Sequence, residues 1–166
     1  MLNKILEYMR QSVQHYNPNK YWKMRNYIQN NPNGNKIKIL IYSFRIKRMD
    51  AFSNASTGIK IGEGSAYFET RPRLPHGLYG IIIAPGAYIG KNATIFHQVT
   101  IGNDYKDITH CPHIGDNVTI YPGAKIVGKI TIGNNVTIGA NAVVNKDVPD
   151  NTLVVVNQPR LIERKK

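Results

Sequence analysis

From residue 83 onward an aliphatic side chain falls on every sixth position: Ile83, Ile89, Ile95 and Ile101, then Ile114, Ile120, Ile126, Ile132, Ile138 and Val144. The stretch from Asn103 to His113 interrupts this beat, which resumes beyond it. Most of these positions are followed by Gly or another small or turn-forming residue, as in Ile89-Gly90, Ile101-Gly102, Ile132-Gly133 and Ile138-Gly139. A period of six matches neither the 3.6 of a helix nor the 2 of a strand. It matches a parallel β-helix, in which each repeat supplies one short strand and one turn. Three such strands close a triangular coil, with the aliphatic residue inward and Gly or Asn at corners that need a left-handed backbone. The spacing predicts coils from about residue 83 to 149, with Ile59-Lys60-Ile61-Gly62 opening the first and Thr152 to Val156 forming a last strand. Arg71 to Gly77, rich in Pro and out of phase, reads as an irregular loop.

The first fifty residues follow a different rule. Leu2, Ile5, Leu6, Met9 and Val13 share one face of a helix, which Asn17-Pro18-Asn19 ends. Tyr21, Met24, Tyr27 and Ile28, with Trp22, predict a second helix, stopped by Asn30-Asn31-Pro32-Asn33-Gly34. From Lys36 to Met49 the pattern fits a helix through Ile37, Leu40, Ile41 and Phe44, or a strand through Ile37, Ile39 and Ile41. The helix is favoured, with Lys38, Arg45 and Arg48 on or near its exposed side. The end of a β-helix exposes unpaired backbone and apolar side chains, so such a helix is expected to cap it. The expected organisation is a helical segment over residues 1–54 and a β-helix over 55–166, carrying an insertion at 103–113.

Charge sharpens this division. The chain of 166 residues has a formal net charge of +12. Residues 1–50 hold ten Lys and Arg against Glu7 and Asp50, giving +8 and leaving +4 for the rest. A basic N-terminal third suits a solvated face, an acidic polymer, an anionic membrane surface or a phosphorylated cofactor or substrate. No nucleic-acid recognition motif accompanies it, so nucleic acid is not expected as a partner. One cysteine, Cys111, excludes an internal disulfide. The opening MLNKILEYMR lacks a long apolar run and cleavage site, and a cytoplasmic location is expected.

The repeats, the loop His76 before Gly80-Ile81-Ile82-Ile83, the segment IFHQVTIGN at 95–103, the Pro112-His113-Ile114-Gly115-Asp116-Asn117 run and the ending NKDVPDNT at 145–152 carry a family resemblance. Over roughly residues 55–162 the chain resembles the hexapeptide-repeat acyltransferases, the serine acetyltransferase branch and its relatives in polysaccharide synthesis above all. The resemblance implies a left-handed parallel β-helix, a homotrimer with active sites between subunits, and acetyl-CoA as donor. A core this thin buries little surface per residue, which independently favours closed association.

Acetyl-CoA is already an activated thioester, so the reaction needs only a base for the acceptor hydroxyl and donors for the oxyanion. Imidazole titrates near neutrality and serves as such a base. By position His76 matches the family's catalytic histidine, and His97 is the second candidate, as a base or as an interface or substrate contact. The resemblance places acetyl-CoA against Thr100, Gly102, Ala124 and Ala140, with Lys125, Lys146 and Arg160 as candidates for its phosphates. Pro75 stands where the serine enzymes carry Asp, and His110-Cys111 where they carry Arg-His. Those departures point to a sugar hydroxyl as acceptor, in capsular or exopolysaccharide synthesis, with serine as the alternative. Two readings from other classes are a non-catalytic trimeric scaffold and a carbonic-anhydrase-like enzyme using His97, His110, Cys111 and His113. The ligand spacing expected on repeat faces is missing from that cluster, so no metal is expected.

Overall fold

The computed structural model describes the chain except residues 1, 14, 61–63, 108, 158–161 and 163–166, and leaves the side chains of 2–4, 7, 10 and 64 undescribed. Three helices come first: α1 (Leu2–Val13), α2 (Pro18–Asn30) and α3 (Lys36–Phe52). Asn17 and Asn35 cap α2 and α3, each accepting a hydrogen bond from the backbone N–H three residues on. Short strands follow: β1 (Ser56–Thr57), β2 (Ile59–Lys60), β3 (Gly64–Ser65), β4 (Tyr67–Phe68), β5 (Ile82–Ile83), β6 (Tyr88–Ile89), β7 (Thr94–Ile95) and β8 (Thr100–Gly102). Beyond the insertion come β9 (His113–Ile114), β10 (Thr119–Ile120), β11 (Lys125–Val127), β12 (Thr131–Ile132), β13 (Thr137–Ile138), β14 (Val143–Val144) and β15 (Leu153–Val154).

Three parallel sheets stack these strands into a left-handed β-helix. Their orders are β1-β5-β8-β11-β14, β4-β6-β9-β12 and β7-β10-β13-β15. Arg73 adds a bridge to Thr94, and Val148 one to Ile132, so both end coils are completed by single residues. In each register the aliphatic positions lie one above another: Ile83 on Ile101 on Ile126 on Val144. Ile89, Ile95, Ile101, Ile114, Ile120, Ile126, Ile132 and Ile138 are fully buried. One corner is built from asparagines with positive φ, Asn92, Asn117, Asn135 and Asn151, whose side-chain amides bond in a row at 3.1 Å. Among non-glycine residues Asn adopts this backbone most readily, and the coil pitch brings each amide within reach of the next.

The first coil begins earlier than the repeat predicts. β1 at Ser56–Thr57 pairs with β5, while Ile59–Lys60 turns back antiparallel on Gly64–Ser65. His113 likewise belongs to a strand, so the insertion ends at Pro112. The cap expected of the 36–49 helix is present, with α3 packed on β1 and β2, and α2 joins it. Gln29 of α2 donates to the Phe68 carbonyl at 2.9 Å and accepts from the Phe68 N–H at 3.0 Å, a side-chain amide pairing with the open edge of β4. Beside it Arg25, Tyr21, Asp50 and Thr57 form a buried polar cluster between helices and first coil. Among the described residues no helix is long and apolar enough to cross a membrane.

Candidate active site

His76 and His97 reach the same place from different coils. His97 stands at the corner between β7 and β8, just before Gln98, whose φ is 59°. His76 sits in the loop before β5, where Leu78 is buried and Gly80 has a φ of 65°. A Cβ at Gly80 would stand 3.0 Å from the Gln98 side chain, so glycine is required there by both conformation and space. The Gly80 N–H donates to the Ser53 carbonyl at the end of α3, and the Gln98 N–H donates to the Tyr79 carbonyl. Loop, helix end and coil corner are thus tied together.

This framework holds the Nδ1 atoms of His76 and His97 2.6 Å apart. That distance requires a proton between them, one ring donating and the other accepting. Phe96 meets the His76 ring edge to face, and Tyr121 stacks beneath Phe96. The two histidines open into a cavity of about 500 Å³, walled on the coil side by Gly77, Leu78 and Tyr79. The opposite wall comes from the helices: Val13, Tyr16, Phe52 and Ser53. None of these lining residues is Lys, Arg, Asp or Glu. Burial pushes the Tyr16 hydroxyl above the usual phenol value, so it stays a neutral hydrogen-bonding group.

Tyr79 also borders a second groove of about 370 Å³, lined by Gly80, Gln98, Thr100, Gly123, Lys125 and Asn141 among others. Thr100 and Lys125 are paired neighbours on β8 and β11, facing outward. The Lys125 ammonium donates to the carbonyls of Gln98 at 2.9 Å and Gly123 at 2.8 Å, which fixes a cation in the groove. Gly102 lies at the end of the same strand, where a Cβ would meet nothing closer than 3.8 Å. Ala124 is buried, and its carbonyl accepts from the Thr100 N–H. Ala140 and Lys146 are exposed on turns outside both spaces. Arg160 lies outside the described residues.

The other histidines are held elsewhere. His110 hydrogen-bonds Asp104 within the insertion at 3.2 Å, and His113 stacks on Tyr88 with ring centroids 4.2 Å apart. Among the described residues no three His, Cys, Asp or Glu side chains are grouped to hold a metal ion. Burial raises the Cys111 thiol above its ordinary value, which opposes a thiolate nucleophile. Sequence reasoning missed the helix-borne wall of the cavity. Val13, Tyr16 and Phe52 bear no motif, and only the three-dimensional return of the helices brings them to His76.

Coil and repeat define the fold class first: a parallel β-helix of hexapeptide repeats. The model "Bacterial transferase hexapeptide (six repeats)" matches residues 111–146. More particular relatives are serine acetyltransferases. That of Staphylococcus xylosus is 46% identical over 100 residues, covering 60% of this chain and 45% of the relative. That of Staphylococcus aureus is 42% identical over 110 residues, covering 66% of this chain and 51% of the relative. The chain spans about half the length of the curated relatives it matches. Among solved structures, the Neisseria gonorrhoeae serine acetyltransferase superposes with a TM-score of 0.61 at 32% identity, over 75% of this chain and 46% of that one. The Brucella abortus serine acetyltransferase in complex with coenzyme A gives 0.57 at 29% identity, over 70% and 44%. These relatives are serine enzymes, not the polysaccharide enzymes that the altered loop residues favour.

Proposed function

We propose that the protein is an acetyl-CoA-dependent O-acetyltransferase in which His76 is the general base and His97 its positioning partner. The 2.6 Å contact between their Nδ1 atoms carries this reading. When His76 donates its Nδ1 proton to His97, its Nε2 is left bare as the acceptor of a hydroxyl proton. The deprotonated oxygen attacks the thioester carbonyl, the C–S bond breaks, and His76 returns the proton to the departing thiolate. His97 then does what a carboxylate does in many dyads: it fixes tautomer and ring orientation. It differs in one respect: an imidazole nitrogen, not a carboxylate oxygen, accepts the hydrogen bond.

The groove of Thr100, Gln98, Gly123 and Asn141 suits the amides of a pantetheine arm, and Lys125 supplies a cation beside it. Gly102, Ala124, Ala140 and Lys146 remain proposed contacts to acetyl-CoA, as does Arg160, which lies outside the described residues. Assembly as a homotrimer belongs to the same proposal, supported by exposed apolar side chains such as Val143, Leu153 and Val155 on the coil faces.

The relatives make serine the first acceptor to test. A sugar hydroxyl is retained as a second reading on one observation: among the described residues no Lys, Arg, Asp or Glu lines the cavity around His76 to meet a carboxylate or an ammonium. The experiment is an acceptor screen following thiol release from acetyl-CoA, on protein whose mass sedimentation places at three chains. Serine turned over at ~10⁴ M⁻¹s⁻¹ or above, with sugars inert, would settle the first reading. His76→Ala should lower kcat by ~10²–10⁴ with CoA binding retained. His97→Ala should cost less, since it removes only the partner that fixes the His76 tautomer and ring orientation. Full activity in His76→Ala would overturn the assignment.

A further inference from the structure

Helix α3 has two apolar faces, and only one is covered. Ile39, Ser43, Ile46 and Asp50 turn toward the coil and are wholly or partly buried. On the opposite side Ile37 is 71% exposed, Leu40 54%, Ile41 45% and Phe44 61%. Positions i, i+3, i+4 and i+7 make a continuous stripe. At helical spacing Lys36 and Lys47 flank it on one side, Lys38 and Arg45 on the other, and Arg48 extends the stripe. The only acidic residue of α3, Asp50, is buried and hydrogen-bonded to Tyr21 and Thr57. Near the end of α3, Phe52 stacks on His15 from the turn after α1, whose Ile5, Leu6, Met9 and Val13 are exposed as well.

We propose that this outer face of α3 docks on an anionic lipid bilayer. An apolar stripe between two rows of cations is the pattern that lies in a membrane interface: side chains enter the acyl boundary and cations meet headgroup phosphates. A second copy of the chain is a poorer occupant. Two such faces packed on each other would bring basic rows together with no exposed carboxylate on α3 to answer them. The consequence for the site is geometric. Val13 and Phe52 line the His76 cavity, so its helical wall is continuous with the docking face. The inference is independent of which acceptor the enzyme uses.

Vesicle co-sedimentation tests it, using the full chain with phosphatidylcholine vesicles and with vesicles that also contain phosphatidylglycerol. Partition should be at least ~10-fold greater onto the mixed vesicles, and salt should weaken it. Arg45→Gln with Lys47→Gln should cut partition by about 25-fold, from roughly 5-fold per cation at an anionic surface. Phe44→Ser should abolish it, while Lys129→Gln, on an exposed turn of the coils, should leave it unchanged. Turnover of a water-soluble acceptor should be unaffected in all three variants, which separates failure here from failure of the acetyl-transfer reading. Equal partition onto both vesicle types, or unchanged binding by Phe44→Ser, would overturn the proposal. So would a fall in the sedimenting mass of Phe44→Ser without lipid binding by the parent, since the face would then join copies of the chain.

Discussion

The coil stack and the joint beneath the helices are both buried, but they are stabilised in different ways. From β5 to β13 the buried residue of each strand is Ile, stacked on the Ile of the neighbouring coil, and a row of polar asparagine contacts lies at a corner. At the joint the buried residues are unique and polar. The Arg25 guanidinium donates to Thr57 and the Ala66 carbonyl and lies 4.4 Å over the Phe68 ring, while Asp50 accepts from Tyr21 and from Thr57. Burial lowers the Arg25 pKa and raises that of Tyr21 well above the phenol range, so the cluster depends on each partner remaining in place. Repetition spreads the cost of any one loss over equivalent neighbours. A unique network concentrates it.

The largest expected effect comes from breaking the joint. Arg25→Ala should lower stability by about 3–5 kcal/mol, because Asp50 is then buried without its nearby cation. Chemical denaturation reads this, and a loss under 1 kcal/mol would mean that the cluster is not coupled. Next comes a cut in the middle of the stack. Ile120→Ala should cost about 2–4 kcal/mol as a cavity that rigid coils above and below cannot close. A smaller loss than in Arg25→Ala sharpens the contrast, and a larger one reverses it. Smallest is a rung of the asparagine row. Asn117→Ala should cost about 1–2 kcal/mol in thermal melts, combining the strain of a left-handed Cβ with the loss of two exposed hydrogen bonds, to Asn92 and Asn135.

The same contrast governs what the sequence makes legible. A six-residue period announces the coils, because every strand obeys one rule and each aliphatic position points the same way. Ile59-Lys60-Ile61-Gly62 mimics that rule, yet β2 folds back on β3. Local spacing does not show whether the next segment continues the coil or reverses. The joint has no signal at all. Tyr21, Asp50 and Thr57 meet across separations of 29 and 36 residues, and single polar residues have no period. In α3 the stripe through Ile37 and Phe44 is plain, but periodicity cannot say which of two stripes is covered. His76 and His97 stand out singly as residues, one by its loop and one by its corner. Their contact depends on how an irregular seven-residue loop, Arg71 to Gly77, lies on the coil, and no repeat encodes that.

The coil's own ring pairs have a wider meaning. The Tyr88 and His113 ring centroids are 4.2 Å apart, and those of Phe96 and Tyr121 5.1 Å. Both are close to the distance between neighbouring strands. The coil is therefore a ruler, and residues at matching positions of successive turns are delivered at contact distance without any further adjustment of the backbone. For a lineage exploring new chemistry, this lowers the number of coordinated changes needed. One substitution on a coil face meets a partner already waiting a single turn away, as Tyr88 meets His113.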